Sequence, residues 1–142
     1  MALSDIPAIS ERRAFRACYR PRYARTPEEL VREFEAFAML LLKYGRRLTI
    51  TIDEALSVLP RNGASGGLGQ LLFQGRKRGL SVYYATQEIA GLPRALTGQA
   101  NRMYLFNLDS GGDRMVLGRY LTPAMVQRVA ALPPHEYLVL DK

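Results

Sequence analysis

The sequence predicts an α/β fold with a mainly parallel sheet flanked by helices, and two observations carry this prediction. Short runs rich in apolar residues alternate with segments of helical periodicity along the chain. Three of these runs are almost continuously apolar, which is typical of parallel strands covered on both faces. The chain has 142 residues, 48% of them hydrophobic, which suffices for one core. We therefore predict a single domain over residues 1–142.

The sequence predicts a strand, a helix, a second strand and a loop in the first half of the chain. Residues 12–20 alternate in polarity and predict a half-exposed strand that Pro21 ends. Thr26, followed by Pro27 and two glutamates, predicts a helix start, and Gly45 predicts its end. Residues 48–54 predict a strand. Residues 60–69 contain four glycines and predict a mobile loop.

Predicted helices and strands also alternate in the second half of the chain. A helix is predicted from about residue 68 to residue 78, ended by Gly79. Strands are predicted at 81–86, 102–108 and 136–141. Helices are predicted at 92–99, at 109–118 with Asp109 or Ser110 as the cap, and from Thr122 to about 132. We expect the following side chains to fill the core: Tyr83, Tyr84, Met103, Met115 and Met125.

Charge and composition narrow the classes of partner and site. Lys and Arg number 20 and Asp and Glu 13, a net charge of +7. This favours polyanionic partners, nucleic acid first and acidic membrane surfaces second, although a solvated basic surface would explain it equally well. Cys18 and His135 each stand alone, which excludes a disulfide within the chain and a Cys/His metal cluster. The longest apolar run, 36–42, is too short to span a membrane, and residues 1–9 lack a secretory signal, so we expect a cytoplasmic protein.

Polar pairs end two of the predicted strands. Asp53 and Glu54 end the predicted strand at 48–54, and Thr86 and Gln87 lie at the end of the next. In a parallel sheet both pairs fall at the carboxyl edge, where ligands bind. Asp53 can reach a Mg²⁺-bound water, Glu54 can polarise an attacking water, and Gln87 can hydrogen-bond a terminal phosphate. The alternative is that Asp53 and Glu54 cap the segment that follows them, and that Thr86 and Gln87 only satisfy unpaired backbone groups at the end of their strand.

Arginines form the third candidate group. Arg76 and Arg78 flank a lysine at the end of a predicted helix, where cations interact favourably with the helix dipole. Together with Arg102, they could instead contact DNA phosphates or reach a nucleotide on a neighbouring subunit, as arginine fingers do.

The order of these motifs resembles the second half of the HerA–FtsK group of P-loop ATPases, which includes viral genome-packaging and conjugation-type DNA motors. The similar segments are 48–54, 75–79, 82–87, 92–96 and 99–106, and the resemblance extends over about residues 12–141. It implies an ASCE-type P-loop NTPase core that uses ATP and Mg²⁺, moves DNA and assembles as a homo-oligomeric, hexamer-like ring. It also implies that Asp53 and Glu54 form the Walker B element, that Thr86 and Gln87 form the sensor, and that Arg102 acts in trans.

One family motif is missing. The phosphate-binding loop Gly-x-x-x-x-Gly-Lys-Ser/Thr does not occur in the sequence, and the glycine-rich segment 63–70 lacks the Lys-Ser/Thr and lies after the acidic pair. We therefore expect a partial domain without the first, central strand, a sheet that is gapped or rearranged, and no ATP hydrolysis by the isolated chain. The alternative functions are a non-catalytic basic α/β module that binds DNA or docks onto an intact ATPase, and a purely structural subunit.

Overall fold

The computed structural model describes residues 2–11, 15–21, 24–59, 66–108 and 110–142. These residues form two compact units, Met1–Thr86 and Gln87–Lys142. Each unit combines helices with a two-stranded sheet, so the predicted α/β class is confirmed. That the chain is one domain stays a prediction. None of the helices in the described part of the chain has the length and apolar character needed to cross a membrane.

The described part of the first unit contains four α-helices and two strands. After a 3₁₀ turn at Leu3–Asp5, the elements are α1 (Ile6–Ser10), α2 (Pro27–Tyr44), β1 (Thr49–Ile52), α3 (Ala55–Val58), α4 (Gly67–Gln74) and β2 (Ser81–Tyr84), with a second 3₁₀ turn, Gly75–Arg78, directly before β2.

Helix α2 begins and ends where the sequence predicts. The Thr26 hydroxyl accepts the Glu29 N–H at 3.2 Å, and the Glu29 carboxylate accepts the Thr26 N–H in return, which makes a complete capping box. At the other end, the N–H of Gly45 donates to the Leu41 carbonyl. The apolar stripe of α2 supplies much of the first core with its buried residues Phe34, Phe37, Ala38, Leu41 and Leu42.

Strands β1 and β2 pair in parallel, with Thr49 opposite Ser81 and Ile52 opposite Tyr84. Ile50 and Ile52 are buried, whereas Thr49 and Thr51 face outward. Parallel pairing requires a crossover, and α4 lies within it. Gly79 ends the crossover at φ 69°, a left-handed conformation that favours glycine.

In the residues of the second unit that the structure describes, three helices and an antiparallel strand pair surround a core of their own. Its elements are α5 (Arg94–Gln99), β3 (Arg102–Leu105), α6 (Gly111–Leu117), α7 (Pro123–Ala130) and β4 (Leu138–Asp141). Ser110 caps α6 and Thr122 caps α7, each by accepting a backbone N–H three residues on. Asp109, the other candidate cap, lies outside the described residues. The centre of this core consists of Met103, Leu105, Val116, Leu117, Val126 and Val129.

The strands form two separate pairs in the described chain, β1–β2 parallel and β3–β4 antiparallel. Helices α6 and α7 lie between β3 and β4, and in the antiparallel register Arg102 lies opposite Asp141.

The predicted strand at 12–20 is wrong in its described part. Residues 12–14 lie outside the described residues, and 15–20 adopt no strand structure. Tyr19 packs on α2 instead. Its ring stacks on Phe37 with centroids 4.3 Å apart, and its hydroxyl donates to the Glu33 carboxylate. Most of the predicted glycine-rich loop, residues 60–65, also lies outside the described residues.

Several side chains expected in the core are exposed. Tyr83 on β2 is 54% exposed, Met115 on α6 is 68% exposed and Met125 on α7 is 43% exposed, whereas Met103 is buried as predicted. Apolar residues follow one another along these segments, but only some of them are buried. The strands are therefore half-exposed in the described structure rather than buried on both faces.

Candidate functional site

The carboxyl edge of β1 and β2 gathers three of the predicted site residues. The Ala85 N–H donates to the Ile52 carbonyl and the Ala55 N–H donates to the Ala85 carbonyl, both at 2.9 Å. These bonds continue the parallel pairing past the strand ends. Asp53 and Glu54, which follow β1, therefore lie at the same edge as Thr86, which follows β2.

Glu54 adopts a left-handed conformation, φ 50° and ψ 53°. A residue with a side chain rarely adopts this conformation, which costs on the order of 1–2 kcal/mol and recurs at functional sites. The turn is held by its backbone: the Glu54 carbonyl accepts from the Ser57 N–H at 2.9 Å and from the Ser57 hydroxyl at 2.8 Å. The Glu54 carboxylate makes no cap hydrogen bond to α3, so helix capping does not account for this side chain.

Asp53 presents an exposed and oriented carboxylate. Its Oδ1 accepts the Glu54 N–H at 3.0 Å, which fixes the carboxylate, and the residue is exposed. Its Oδ2 makes no hydrogen bond to the described residues. Because Mg²⁺ is held by one or two carboxylates together with waters and phosphates, a single oriented carboxylate fits such a site. The described residues contain no cluster of three or more His, Cys, Asp or Glu side chains.

Gln87 is the first residue of the second unit and is exposed. The loop that follows it is held by Asp113, a buried carboxylate on α6 that is 3% exposed. Asp113 Oδ1 accepts the N–H groups of Ile89 and Ala90, each at 2.9 Å, and its Oδ2 accepts the Ser110 hydroxyl at 2.7 Å. This arrangement fixes the backbone two residues after Gln87.

Arg102 is already paired within its own unit. Its Nε donates to the Asp141 carboxylate across the β3–β4 pair, and the two side chains are 56% and 63% exposed. This hydrogen bond is the main reason that the pKa of the guanidinium is raised further. A contact in trans would require Arg102 to leave this ion pair.

Arg76 and Arg78 lie away from the acidic pair. They belong to the 3₁₀ turn before β2, which places them at the amino edge of the strand pair. A four-residue strand spans about 13 Å. The structure thus brings Asp53, Glu54 and Thr86 together and places Arg76 and Arg78 at the opposite end.

Further cations lie beside Arg78 at the amino edge of the β1–β2 pair. A shallow surface depression is lined by Arg46, Arg47, Lys77, Arg78 and Gly79, and we call this surface the basic edge. The Arg47 N–H donates to the Arg78 carbonyl at 3.1 Å, which joins the segment before β1 to the segment before β2.

Sequence reasoning identified Arg76 and Arg78 as candidate phosphate contacts but missed that Arg46 and Arg47 lie beside them, and it also missed Asp113, although signals for both exist. Two pairs of cations each precede a predicted strand, and parallel pairing of those strands places the cation pairs side by side. Ser110 and Asp113 have the spacing of a capping box. In the structure the Asp113 N–H donates to the Ser110 hydroxyl, and that hydroxyl donates to the Asp113 carboxylate.

Several solved structures are similar in fold to this chain. The genome packaging NTPase B204 from Sulfolobus turreted icosahedral virus 2, in complex with AMPPCP, matches 99% of this chain with a TM-score of 0.70 and 21% identity. The chain has the fold of a genome-packaging NTPase. The same protein in complex with ATP-gammaS matches with a TM-score of 0.68 and 22% identity, again over 99% of this chain. B204 described as the DNA-packaging ATPase of Sulfolobus Turreted Icosahedral Virus matches with a TM-score of 0.64 and 20% identity.

The chain spans 66% of the length of each of these packaging NTPases. No protein-family model matches it, and no curated protein is similar to it in sequence at a significant level. The predicted resemblance to a packaging ATPase is thereby confirmed at the level of the fold.

Proposed function

We propose that this chain is the part of an ATP-driven, DNA-translocating ATPase that supplies the carboxylates and the sensor side chains of the nucleotide site. One observation carries the proposal: the parallel register of β1 and β2 brings Asp53, Glu54 and Thr86 to a single edge. Similarity in fold to packaging NTPases solved with ATP analogues supports it.

The residues of the edge have distinct roles in this proposal. Asp53 binds a water of the Mg²⁺ shell through its exposed carboxylate, and Thr86 contacts the nucleotide. Glu54 orients and polarises the attacking water. Gln87, the first residue of the second unit, keeps the role that the sequence predicts for it, a hydrogen bond to the terminal phosphate. Mg²⁺, when bound, neutralises charge on the phosphates. DNA is the proposed cargo, and a homo-oligomeric ring is the proposed assembly, in which Arg102, Arg76 or Arg78 reaches the nucleotide or the DNA of a neighbour.

The 142-residue chain should not turn over ATP by itself. It lacks the phosphate-loop lysine and glycine-rich backbone that anchor a triphosphate. Removing one charge-stabilising donor typically costs about 10²–10³ in rate, so loss of the whole loop should leave only background hydrolysis.

Paramagnetic Mn²⁺ in place of Mg²⁺ tests the proposed site. With ATP present, we expect Mn²⁺ to broaden the backbone NMR signals of Asp53, Glu54 and Thr86 first. Asp53→Asn should abolish this selectivity. Glu136→Gln, which removes an exposed carboxylate in the second unit, should leave it unchanged.

The alternative, a non-catalytic basic module, is favoured by the missing phosphate loop and by the basic edge. It predicts no selective broadening at Asp53, or broadening that Asp53→Asn does not alter. Steady phosphate release by the purified chain, lost in Glu54→Gln, would contradict our expectation that the isolated chain is inactive.

A further inference from the structure

We propose that the basic edge binds the phosphate backbone of double-stranded DNA without regard to sequence. The inference deepens the proposed function, on which it rests for the choice of DNA as partner. It assigns the contact to residues that lie at the opposite end of β1 and β2 from the candidate nucleotide site.

The geometry of the basic edge is fixed by hydrogen bonds. Arg46 Nη1 donates to the Gly45 carbonyl at 2.8 Å, and Arg78 Nη1 donates to the Lys43 carbonyl at 3.0 Å. Each guanidinium has five N–H donors, so most donors of both side chains are left for a ligand. Arg47 is held in a left-handed conformation, φ 51°, by the bond from its N–H to Arg78.

Helix capping explains only part of this cluster. Cations at the carboxyl end of an 18-residue helix are favourable with its dipole, and Arg46 and Arg78 contact the last carbonyls of α2. Arg47 and Lys77 make no such contact. In the described part of the chain, none of the four cations of the basic edge pairs with a carboxylate, so their mutual repulsion is not offset by acidic side chains.

A phosphodiester backbone is the anion that fits this surface. The depression is open and shallow rather than enclosed, which suits a continuous chain of phosphates better than a small anion that must be surrounded. Arginine presents paired N–H donors that match phosphate oxygens. Since a strand length of about 13 Å separates the two edges, DNA and nucleotide could be bound at the same time.

The test measures how the affinity for a 20-base-pair duplex of arbitrary sequence depends on salt, by fluorescence anisotropy of labelled DNA. If four cations each neutralise one phosphate, log K should fall with log salt with a slope of about −3.6. Affinity then drops about 150-fold between 50 and 200 mM salt. In the double variant Arg47→Gln/Lys77→Gln, the slope should fall to about −1.8 and the drop to about 12-fold.

Two control variants separate the site from overall charge and from folding. Arg119→Gln/Arg128→Gln removes two exposed cations of the second unit, with the same change in net charge, and should keep the wild-type slope. Arg47→Lys/Lys77→Arg retains both charges and should also keep it. Equal slopes in wild type and Arg47→Gln/Lys77→Gln, an equal loss in the Arg119/Arg128 variant, loss of the slope in the charge-retaining variant, or no binding at 50 mM salt would each overturn the proposal.

The nucleotide experiment is independent of this result. If Mn²⁺ does not selectively broaden the signals around Asp53 while the salt slope depends on Arg47 and Lys77, the proposed ATPase site is refuted and the DNA contact at the basic edge is supported. If the broadening is selective but the slope does not depend on Arg47 and Lys77, the DNA contact lies elsewhere on the protein.

Discussion

Removing the Asp113 carboxylate should destabilise the second unit and release the loop after Gln87. Asp113 is 3% exposed and accepts three hydrogen bonds, from Ile89 N–H, Ala90 N–H and the Ser110 hydroxyl. In Asp113→Ala all three donors lose their acceptor. Ile89 is itself buried, so water does not readily replace the carboxylate there.

The expected loss is about 3 kcal/mol. A hydrogen bond to a charged group contributes roughly 1.5–3 kcal/mol, and a buried donor left without an acceptor carries the full desolvation cost. Ala90 and Ser110 are exposed, so water can replace much of their share. Because stability is only about 0.05–0.15 kcal/mol per residue, such a loss would remove a large part of the stability of Gln87–Lys142. Asp113→Asn keeps an acceptor for the two N–H groups and should cost only about 1 kcal/mol.

Urea unfolding followed by circular dichroism measures the loss, and hydrogen–deuterium exchange locates it. The Ile89 and Ala90 amides should exchange much faster in Asp113→Ala and close to the wild-type rate in Asp113→Asn. The buried Val129 amide in α7 serves as an internal reference. A loss below about 1 kcal/mol, or unchanged exchange at Ile89 in Asp113→Ala, would refute the argument that Asp113 holds this loop.

Two further predictions concern side chains whose surroundings the structure defines. The pKa of the Tyr19 phenol is raised by burial, by a hydrogen bond to Glu33 and by the charge of Glu33. The neutral phenol therefore stabilises the fold fully below the ordinary tyrosine pKa of about 10, and this stabilisation is lost as the pH rises through the raised pKa. Tyr19→Phe should therefore flatten the alkaline loss of stability in urea titrations above pH 10, and an unchanged slope would contradict this. Met103→Ala should cost about 2–3 kcal/mol because Met103 is 9% exposed, whereas Met115→Ala, at 68% exposed, should change stability by less than about 0.5 kcal/mol; equal shifts of the urea midpoint would contradict the assignment of one side chain to the core and the other to the surface.

Local chemistry made the helix boundaries predictable from sequence. Thr26, Ser110 and Thr122 accept backbone N–H groups at helix starts, and Gly45 and Gly79 stand where helical segments end. Each of these signals depends on a few neighbouring residues, so no knowledge of the tertiary structure is needed.

Exposure was less predictable, because it depends on what packs against an element. The run at 81–86 predicts a buried strand, yet in β2 Ser81 and Tyr83 are exposed and Val82 and Tyr84 are only partly buried. Residues 15–20 alternate like a strand, but Tyr19 packs on Phe37 instead. The basic edge follows from the parallel pairing of β1 and β2, which brings the cations before both strands to one edge.

Strand direction explains why the cations of the two units differ in their surroundings. In the parallel pair β1–β2, the residues that precede both strands share one edge and those that follow share the other. Arg47 and Lys77 therefore lie beside further cations at one edge, whereas Asp53 and Glu54 lie at the other edge together with Thr86. In the antiparallel pair β3–β4, the start of one strand lies beside the end of the other, so Arg102 lies opposite Asp141 and is paired with it. The same kind of residue, an arginine next to the start of a strand, is thus neutralised in the second unit and left for a polyanion in the first. For this reason we assign the DNA contact to the basic edge in preference to Arg102.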